Sequence, residues 1–535
     1  MLGIWEDIRK WEKSKMAKQF NFDDLPVVEV KEGKLRGYQS EGIYVFKGIP
    51  YAKAERFQQP VAVEPWEGVK EATSYGFVCP MLQQDNPQGE LLVPHRYWPQ
   101  NENCLNLNIW TQTLERGAKK PVLVWIHGGA FSMGSSIEQK AYNGKNMSKY
   151  GDVVVVSVNH RLNILGYLDL SQYGEKYADS ANAGQEDLIA ALSWVKENIE
   201  AFGGDPENVT VFGQSGGGMK ISALLQMPKA DGLFQKGIIM SGVAGDLMTY
   251  STKDSTPLIL ALLKELGLKE DEVERLETIP YYELANAYNK VSPALAMQGE
   301  YIGCTPKPNA YYKGEGTEVG FRKEAIHVPL MVGTVFGEFA MVPLPFFKDE
   351  VPEEGIKEIL TKRFGAGTEE LIEEFKKVYP NKNIADLLTL DTIFRCPAKQ
   401  FVKEFAKAGG TAYSYVFALE FPYQHNKTAW HCSDIPFVFH NTELVPVANI
   451  PEVSDKLEEQ MFKAVIQFAR TGNPNHDLIP EWKASKEGDE ATMVFDRECE
   501  VRHNFDDRLL QLHIAASPKF DLMAMMAEMS DQIQH

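Results

Sequence analysis

Cysteine is scarce, with six in 535 residues (Cys79, Cys104, Cys304, Cys396, Cys432 and Cys499), none in a C-x-x-C pair or at zinc-finger spacing. Buried thiols are the default reading of such a set, and neither a metal nor an organic cofactor is expected. Positive charge is also short: 55 basic against 74 acidic residues leave a net charge of -19, and no basic run makes a local positive face. Nucleic acid and anionic membrane are therefore poor partners. No stretch is long and uncharged enough to span a bilayer. The opening Met1-Leu2-Gly3-Ile4-Trp5 is broken at once by Glu6, Asp7, Arg9 and Lys10, so it lacks the apolar core of a secretion signal, and a cytoplasmic location is expected. No Pro/Gly/Ser-rich linker, repeat or low-complexity segment divides the chain. The expected organisation is a helical extension over 1–24, with Ile4, Trp5, Ile8 and Trp11 on one face, followed by one large domain over 25–535.

An apolar fraction of 44%, with 11% aromatics, is enough for a sizeable core. Short β-rich apolar runs occur at Pro121 to His127, Val153 to Asn159, Val209 to Ser215, Gly237 to Ser241, Val328 to Thr334 and Tyr413 to Ala418. A helix is predicted over Gln185 to Phe202, where Leu188, Ala191, Leu192, Val195 and Ile199 share a face and Gly203-Gly204-Asp205-Pro206 ends it. Strands alternating with crossover helices imply an α/β fold: a mostly parallel twisted sheet with helices on both faces. The intervals from Ser215 to Glu338 and from Glu338 to His431 hold further helical patterns (Leu258 to Leu266, Pro352 to Arg363, Glu369 to Tyr379) that exceed simple crossovers. They read as insertions over the edge of the sheet that shape a pocket.

One motif carries chemistry directly. The run Val209-Thr210-Val211-Phe212 enters Gly213-Gln214-Ser215-Gly216-Gly217, a G-x-S-x-G segment. Its glycines allow a tight reversal that leaves the serine hydroxyl exposed at a strand tip. Alone, the pentapeptide also fits a turn whose serine caps a helix. A second segment, Trp125-Ile126-His127-Gly128-Gly129-Ala130-Phe131, follows a buried strand and offers backbone N–H groups to a developing oxyanion. Alone, it too fits a simpler role, a glycine turn ending a strand.

These two segments stand in order with Phe46-Lys47-Gly48-Ile49-Pro50-Tyr51-Ala52, Glu102-Asn103-Cys104-Leu105-Asn106-Leu107-Asn108-Ile109-Trp110, Asn159-His160-Arg161-Leu162 and Phe202-Gly203-Gly204-Asp205-Pro206. Together they resemble the type-B carboxylesterase and cholinesterase family of α/β-hydrolases over nearly the whole chain. The resemblance implies an α/β-hydrolase fold with long helical insertions, and a catalytic triad. Its nucleophile falls on Ser215. Its acid falls on Glu338 in Gly333-Thr334-Val335-Phe336-Gly337-Glu338, and its base on His431 in Ala429-Trp430-His431-Cys432-Ser433-Asp434. The oxyanion hole falls on the N–H groups of Gly128, Gly129 and Gly216. The family commonly has alanine where this chain has Gly216, a change that gives the turn more freedom. Cys79 and Cys104 match family positions often joined as a disulfide; in a reducing cytosol they stay thiols.

The physical roles are consistent with that pattern. An imidazole titrates near neutrality, so His431 can take the Ser215 proton and return it to a leaving alkoxide. A carboxylate behind it holds the tautomer, and Phe336 and Phe339 place Glu338 among apolar neighbours. His425 and Asp434 are rivals for base and acid: His425 reads as a loop histidine, and Asp434 as a brace for the His431 loop. Phe131, Phe339, Tyr97 and Trp98 are candidate walls, though Trp98 is not at the spacing of the choline-binding tryptophan, so no choline-ester selectivity is implied. The expected activity is hydrolysis of small to medium uncharged esters, as small-molecule substrates, through an acyl-enzyme. Two alternatives stand beside it: a non-catalytic neuroligin-like binding protein, and an amidase, thioesterase or lactonase using the same residues. The sequence assigns no oligomeric state.

Overall fold

The computed structural model describes residues 24–83, 89–243, 245, 253–341 and 343–517. The helical extension expected over 1–24 lies, up to residue 23, outside them. An eleven-stranded sheet organises the chain. Its strands are β1 (Tyr38–Ser40), β2 (Ile43–Pro50), β3 (Asn106–Thr111), β4 (Lys120–Ile126), β5 (Val154–Val158), β6 (Gly204–Gln214), β7 (Lys236–Met240), β8 (Leu330–Val335), β9 (Ala412–Phe417), β10 (Ala491–Phe495) and β11 (Glu500–His503). Their spatial order is β11-β10-β9-β8-β7-β6-β4-β5-β3-β2-β1. From β5 through β10 every neighbouring pair is parallel, while β1, β2, β3 and β11 pair antiparallel at the two margins. The six expected strands are six of the seven in the parallel centre, β10 being the unexpected one; their ends shift by a few residues at most except in β6, whose start extends back to Gly204 across a register break before Val209.

Successive side chains of a strand face opposite ways, and here the two sets enter two separate cores. Leu123 and Trp125 of β4, Val155 of β5 and Phe212 of β6 join one cluster. Val122, Val124 and Ile126, with Val154, Val156, Val209 and Val211, join the other. A sheet buried on both faces needs apolar residues at nearly every position, which is why these strands read as continuous apolar runs. Helix α1 (Ala183–Asn198) covers the second face through Leu188, Leu192 and Val195. Helix α2 (Gly216–Leu225) follows β6 without a spacer and is buried on all sides.

The intervals flanking Glu338 pack differently from each other. Helices Thr256–Glu265 and Tyr281–Met297 form a separate cluster with Phe57, Ile164, Leu168 and Tyr177. Helices Glu353–Phe364 and Thr368–Val378 join the core on the first face through Ile356, Leu360, Leu371 and Phe375. Among the described residues no helix is long and apolar enough to cross a membrane.

A buried ion pair ties the end of β5 to α1. Arg161 donates from Nε and Nη2 to Asp187 (2.8 and 2.7 Å), and its Nη1 donates to the carbonyls of Glu55 and Gln58 (3.0 and 2.8 Å). Removing one partner of such a pair strands the other charge in the interior, a cost of about 3–5 kcal/mol. Arg161→Met is expected to lower the calorimetric Tm, and Arg161→Met combined with Asp187→Leu to recover part of the loss.

Candidate active site

Strand β6 ends at Gln214, and the chain reverses at Ser215, whose φ of 56° and ψ of -125° lie outside the regions L-residues favour. Holding such a backbone costs on the order of 1–3 kcal/mol, so the surroundings must impose it. They do so from two sides. Ser215 N–H donates to Met240 O (2.8 Å) at the tip of β7, and Met219 N–H donates back to Ser215 O (3.1 Å). The 128–130 loop presses on the turn from the other side.

That contact leaves no room for side chains. A Cβ at Gly216 would overlap the Cα and carbonyl oxygen of Ala130, and one at Gly217 would overlap the Ile126 carbonyl. The freedom expected of Gly216 from sequence is therefore overturned: its glycine is demanded by close approach, not tolerated as slack. A Cβ at Gly128 would stand 3.4 Å from that of Ser215, so the two glycine segments meet at the serine. Among the described residues, no acceptor pairs with the N–H of Gly128, Gly129 or Gly216.

A short parallel pairing brings the acid and the imidazole together. Gly337 and Trp430 form an isolated bridge, Gly337 N–H donates to Ala429 O (3.1 Å), and His431 N–H donates to Glu338 O (3.0 Å). Side chains at matched positions then face each other, with His431 Nδ1 2.6 Å from Glu338 Oε2. The carboxylate is buried, and its other oxygen accepts Val335 N–H (2.9 Å). Burial alone would lower the His431 imidazole, but the Glu338 bond and the charges of Glu338, Asp434 and Asp391 outweigh it and hold the imidazole above its ordinary value.

The second imidazole nitrogen faces the serine turn through a residue that sequence reasoning passed over. Gln214 Nε2 lies 3.0 Å from His431 Nε2, while Gln214 Oε1 accepts the Cys432 thiol (3.3 Å). An amide nitrogen can only donate, so Nε2 is the bare acceptor and the proton sits on Nδ1, toward Glu338. This is the tautomer needed to take a proton at Nε2. Burial pushes the Cys432 thiol well up, which leaves it protonated and a donor.

A buried, largely aromatic cluster adjoins this group. Phe131, Tyr167, Met219 and Phe394 form a buried cluster, with Phe339 and Ile393 against it. Phe394 lies 5.3 Å from the His431 ring, at the start of a helix over Arg395–Lys407. Asp391 fixes that start by accepting the N–H groups of Ile393, Phe394 and Arg395 (3.0, 3.0 and 2.8 Å). Of the four candidate walls, Phe131 lies in this cluster and Phe339 packs against it. Met219, Tyr167, Ile393 and Phe394 carried no signal beyond ordinary core residues.

Tyr97 and Trp98 are placed elsewhere. They are 52% and 37% exposed, Tyr97 bound to Glu90 (2.8 Å) and Trp98 edge-on to Tyr75. Neither ring belongs to the Phe131 cluster. The rivals are occupied as well: His425 pairs with Asp349 and stacks on Phe347, and buried Asp434 accepts the Tyr415 hydroxyl (2.9 Å). Cys79 and Cys104 are free and buried. The carboxylates of Glu490, Asp506 and Asp507, close enough together for a metal, are already paired with Lys399, and the first two also with Arg395.

Residues 24–512 match the model of the carboxylesterase family. The chain belongs to that family. It is 34% identical over 492 residues to the para-nitrobenzyl esterase of Bacillus subtilis (strain 168), covering 89% of this chain and 96% of that protein. It is 31% identical over 491 residues to the phenmedipham hydrolase of Pseudarthrobacter oxydans, covering 88% and 94%. A solved esterase from Clostridium hathewayi, described as able to hydrolyse aliphatic aromatic polyesters, is 71% identical with a TM-score of 0.92, covering 94% of this chain and all of that one. The fold is that of the α/β-hydrolases, and the chain is a carboxylic-ester hydrolase.

The glycine contact yields a direct test. Gly216→Ala is expected to cut kcat by about tenfold or more, because the added methyl group forces the 128–130 loop off the turn. Steady-state kinetics on a chromogenic ester, alongside the Tm, checks it.

Proposed function

We propose that Ser215 is the nucleophile, His431 the general base and acid, and Glu338 the carboxylate that orients it. The N–H groups of Gly128, Gly129 and Gly216 form the oxyanion hole. The observation that carries this reading is the Glu338–His431 bond at 2.6 Å, with the bare Nε2 turned to the residue preceding Ser215. In acylation Gln214 releases Nε2, which takes the Ser215 proton as Oγ attacks the acyl carbonyl. Catalytic hydrogen bonds commonly tighten in this way only once substrate is bound. The imidazolium protonates the leaving alcohol, and water activated by the same nitrogen frees the acid.

The wall of Phe131, Phe339, Phe394, Met219 and Tyr167 favours small to medium uncharged esters, and aromatic groups in particular. The polyester activity described for the Clostridium hathewayi esterase fits the same preference. The free thiols support a reducing, cytoplasmic setting.

Ser215→Ala is expected to reduce turnover of para-nitrophenyl butyrate by about 10³-fold or more and to abolish labelling by a fluorophosphonate. Retained turnover or undiminished labelling in the variant would refute the assignment of Ser215. A pH series tests the base. Only neutral His431 accepts a proton, so kcat/KM rises with pH through its raised value. In Glu338→Gln the bond and charge are lost and burial dominates, so the acid limb moves to lower pH while the rate falls.

A further inference from the structure

Helix α2 carries a lysine into the interior close behind Ser215. Lys220 is fully buried, joins no ion pair among the described residues, and donates from Nζ to the carbonyl oxygen of His127 (3.1 Å). Burying an ammonium without a counter-ion is costly, so a neutral residue of similar size would serve packing better. The groups around it are mostly uncharged. His127 and His160 stack at 5.0 Å, both held neutral by burial and by Lys220 itself, and the Phe131 ring lies 5.9 Å from Nζ. Gln185 donates to the Lys220 carbonyl (3.2 Å), and Glu138 and Cys79 are the acidic groups whose charge favours the ammonium.

What Lys220 grips matters more than what surrounds it. The His127 carbonyl and the Gly128 N–H belong to one peptide unit, which is trans, so the two groups point in opposite directions across a rigid plane. A cation on the oxygen fixes that plane and draws electron density from the nitrogen, which strengthens the N–H as a donor; hydrogen bonds in series polarise one another in this way. The Gly128 N–H is free of protein acceptors among the described residues, on a glycine adjoining Ser215.

We propose that Lys220 is a positioning residue for ester hydrolysis: by holding the His127 carbonyl it orients and polarises the His127–Gly128 peptide, whose N–H meets the developing oxyanion. This rests on the assignment of Ser215 and Gly128 above. Lys220 touches neither substrate nor reacting atoms, and its charge acts through one peptide unit. Burial brings the ammonium down to about 7, so this support fades on the alkaline side.

The test compares Lys220→Met and Lys220→Gln with wild type and Ser215→Ala, using para-nitrophenyl butyrate and an alkyl trifluoromethyl ketone, whose serine adduct carries an oxyanion. Lys220→Met is expected to lose about tenfold or more in kcat with KM within about twofold, and to bind the ketone more weakly by a similar factor. Lys220→Gln keeps a neutral donor for the carbonyl and should recover part of kcat while losing the alkaline limb of the pH profile. Full kcat in Lys220→Met with a lowered Tm, or a kcat loss without weaker ketone binding, would overturn the proposal. If neither variant folds, wild-type ketone affinity decides: a rise through the His431 titration followed by a decline supports it, and a plateau refutes it. Turnover surviving in Ser215→Ala would instead sink the underlying assignment.

Discussion

Two backbone turns touch without side chains between them, and the candidate site exists because of that contact. The 126–130 segment lies on the Ser215–Gly217 turn so closely that no Cβ fits at Gly216, against Ala130, or at Gly217, against the Ile126 carbonyl. Parallel pairing of β4 with β6 sets the separation, since adjacent strands deliver their C-terminal ends side by side. What leaves one strand as an N–H donor and what leaves the other as a hydroxyl are therefore placed by the spacing of the sheet. Flexible side chains have little to decide there.

The partners proposed for the serine are secured by a different device. Glu338 and His431 come from segments that pair for only a bridge or two, yet both are backed by buried strands, β8 before Glu338 and β9 before the His431 loop. Backbone pairing fixes the distance, and the side-chain bond follows from it. Gln214 and Cys432 then favour the tautomer with the proton on Nδ1, toward Glu338. Asp391 adds a second level by capping the segment that brings Phe394 over the imidazole.

Much of this was legible in the residues, for identifiable reasons. The serine turn announces itself because only glycines can flank so tight a reversal, and the central strands because burial on both faces demands unbroken apolar runs. Glu338 and His431 were reached through the family resemblance, since nothing local distinguishes them from a loop glutamate and a core histidine. The margins of the sheet were missed: β1, β2 and β3 contain polar residues such as Gln39, Lys47 and Asn108, and β10 and β11 are only five and four residues long with Thr492 and Arg502 among them, which masks the strand pattern. The wall was half missed because Met219 and Phe394 are ordinary core types whose neighbourhood is made by distant segments. Tyr97 and Trp98 lie outside the Phe131 cluster, with Glu90 and Tyr75 as neighbours. Lys220 gave no signal, as a lysine in a helix usually faces water.

The order of assembly follows from where Trp125 finds its neighbours. It packs edge-on against Phe439, which lies just beyond the His431 loop. During synthesis the strand leading to Gly128 and Gly129 must wait for roughly 300 further residues to leave the ribosome before that ring arrives. Tyr142 and Phe212 reach Trp125 earlier, but until Phe439 arrives that face is incompletely covered, and loop closure over such separations is slow. A nascent chain halted before residue 439 is thus a client for chaperones rather than a weak enzyme, and function appears late and all at once.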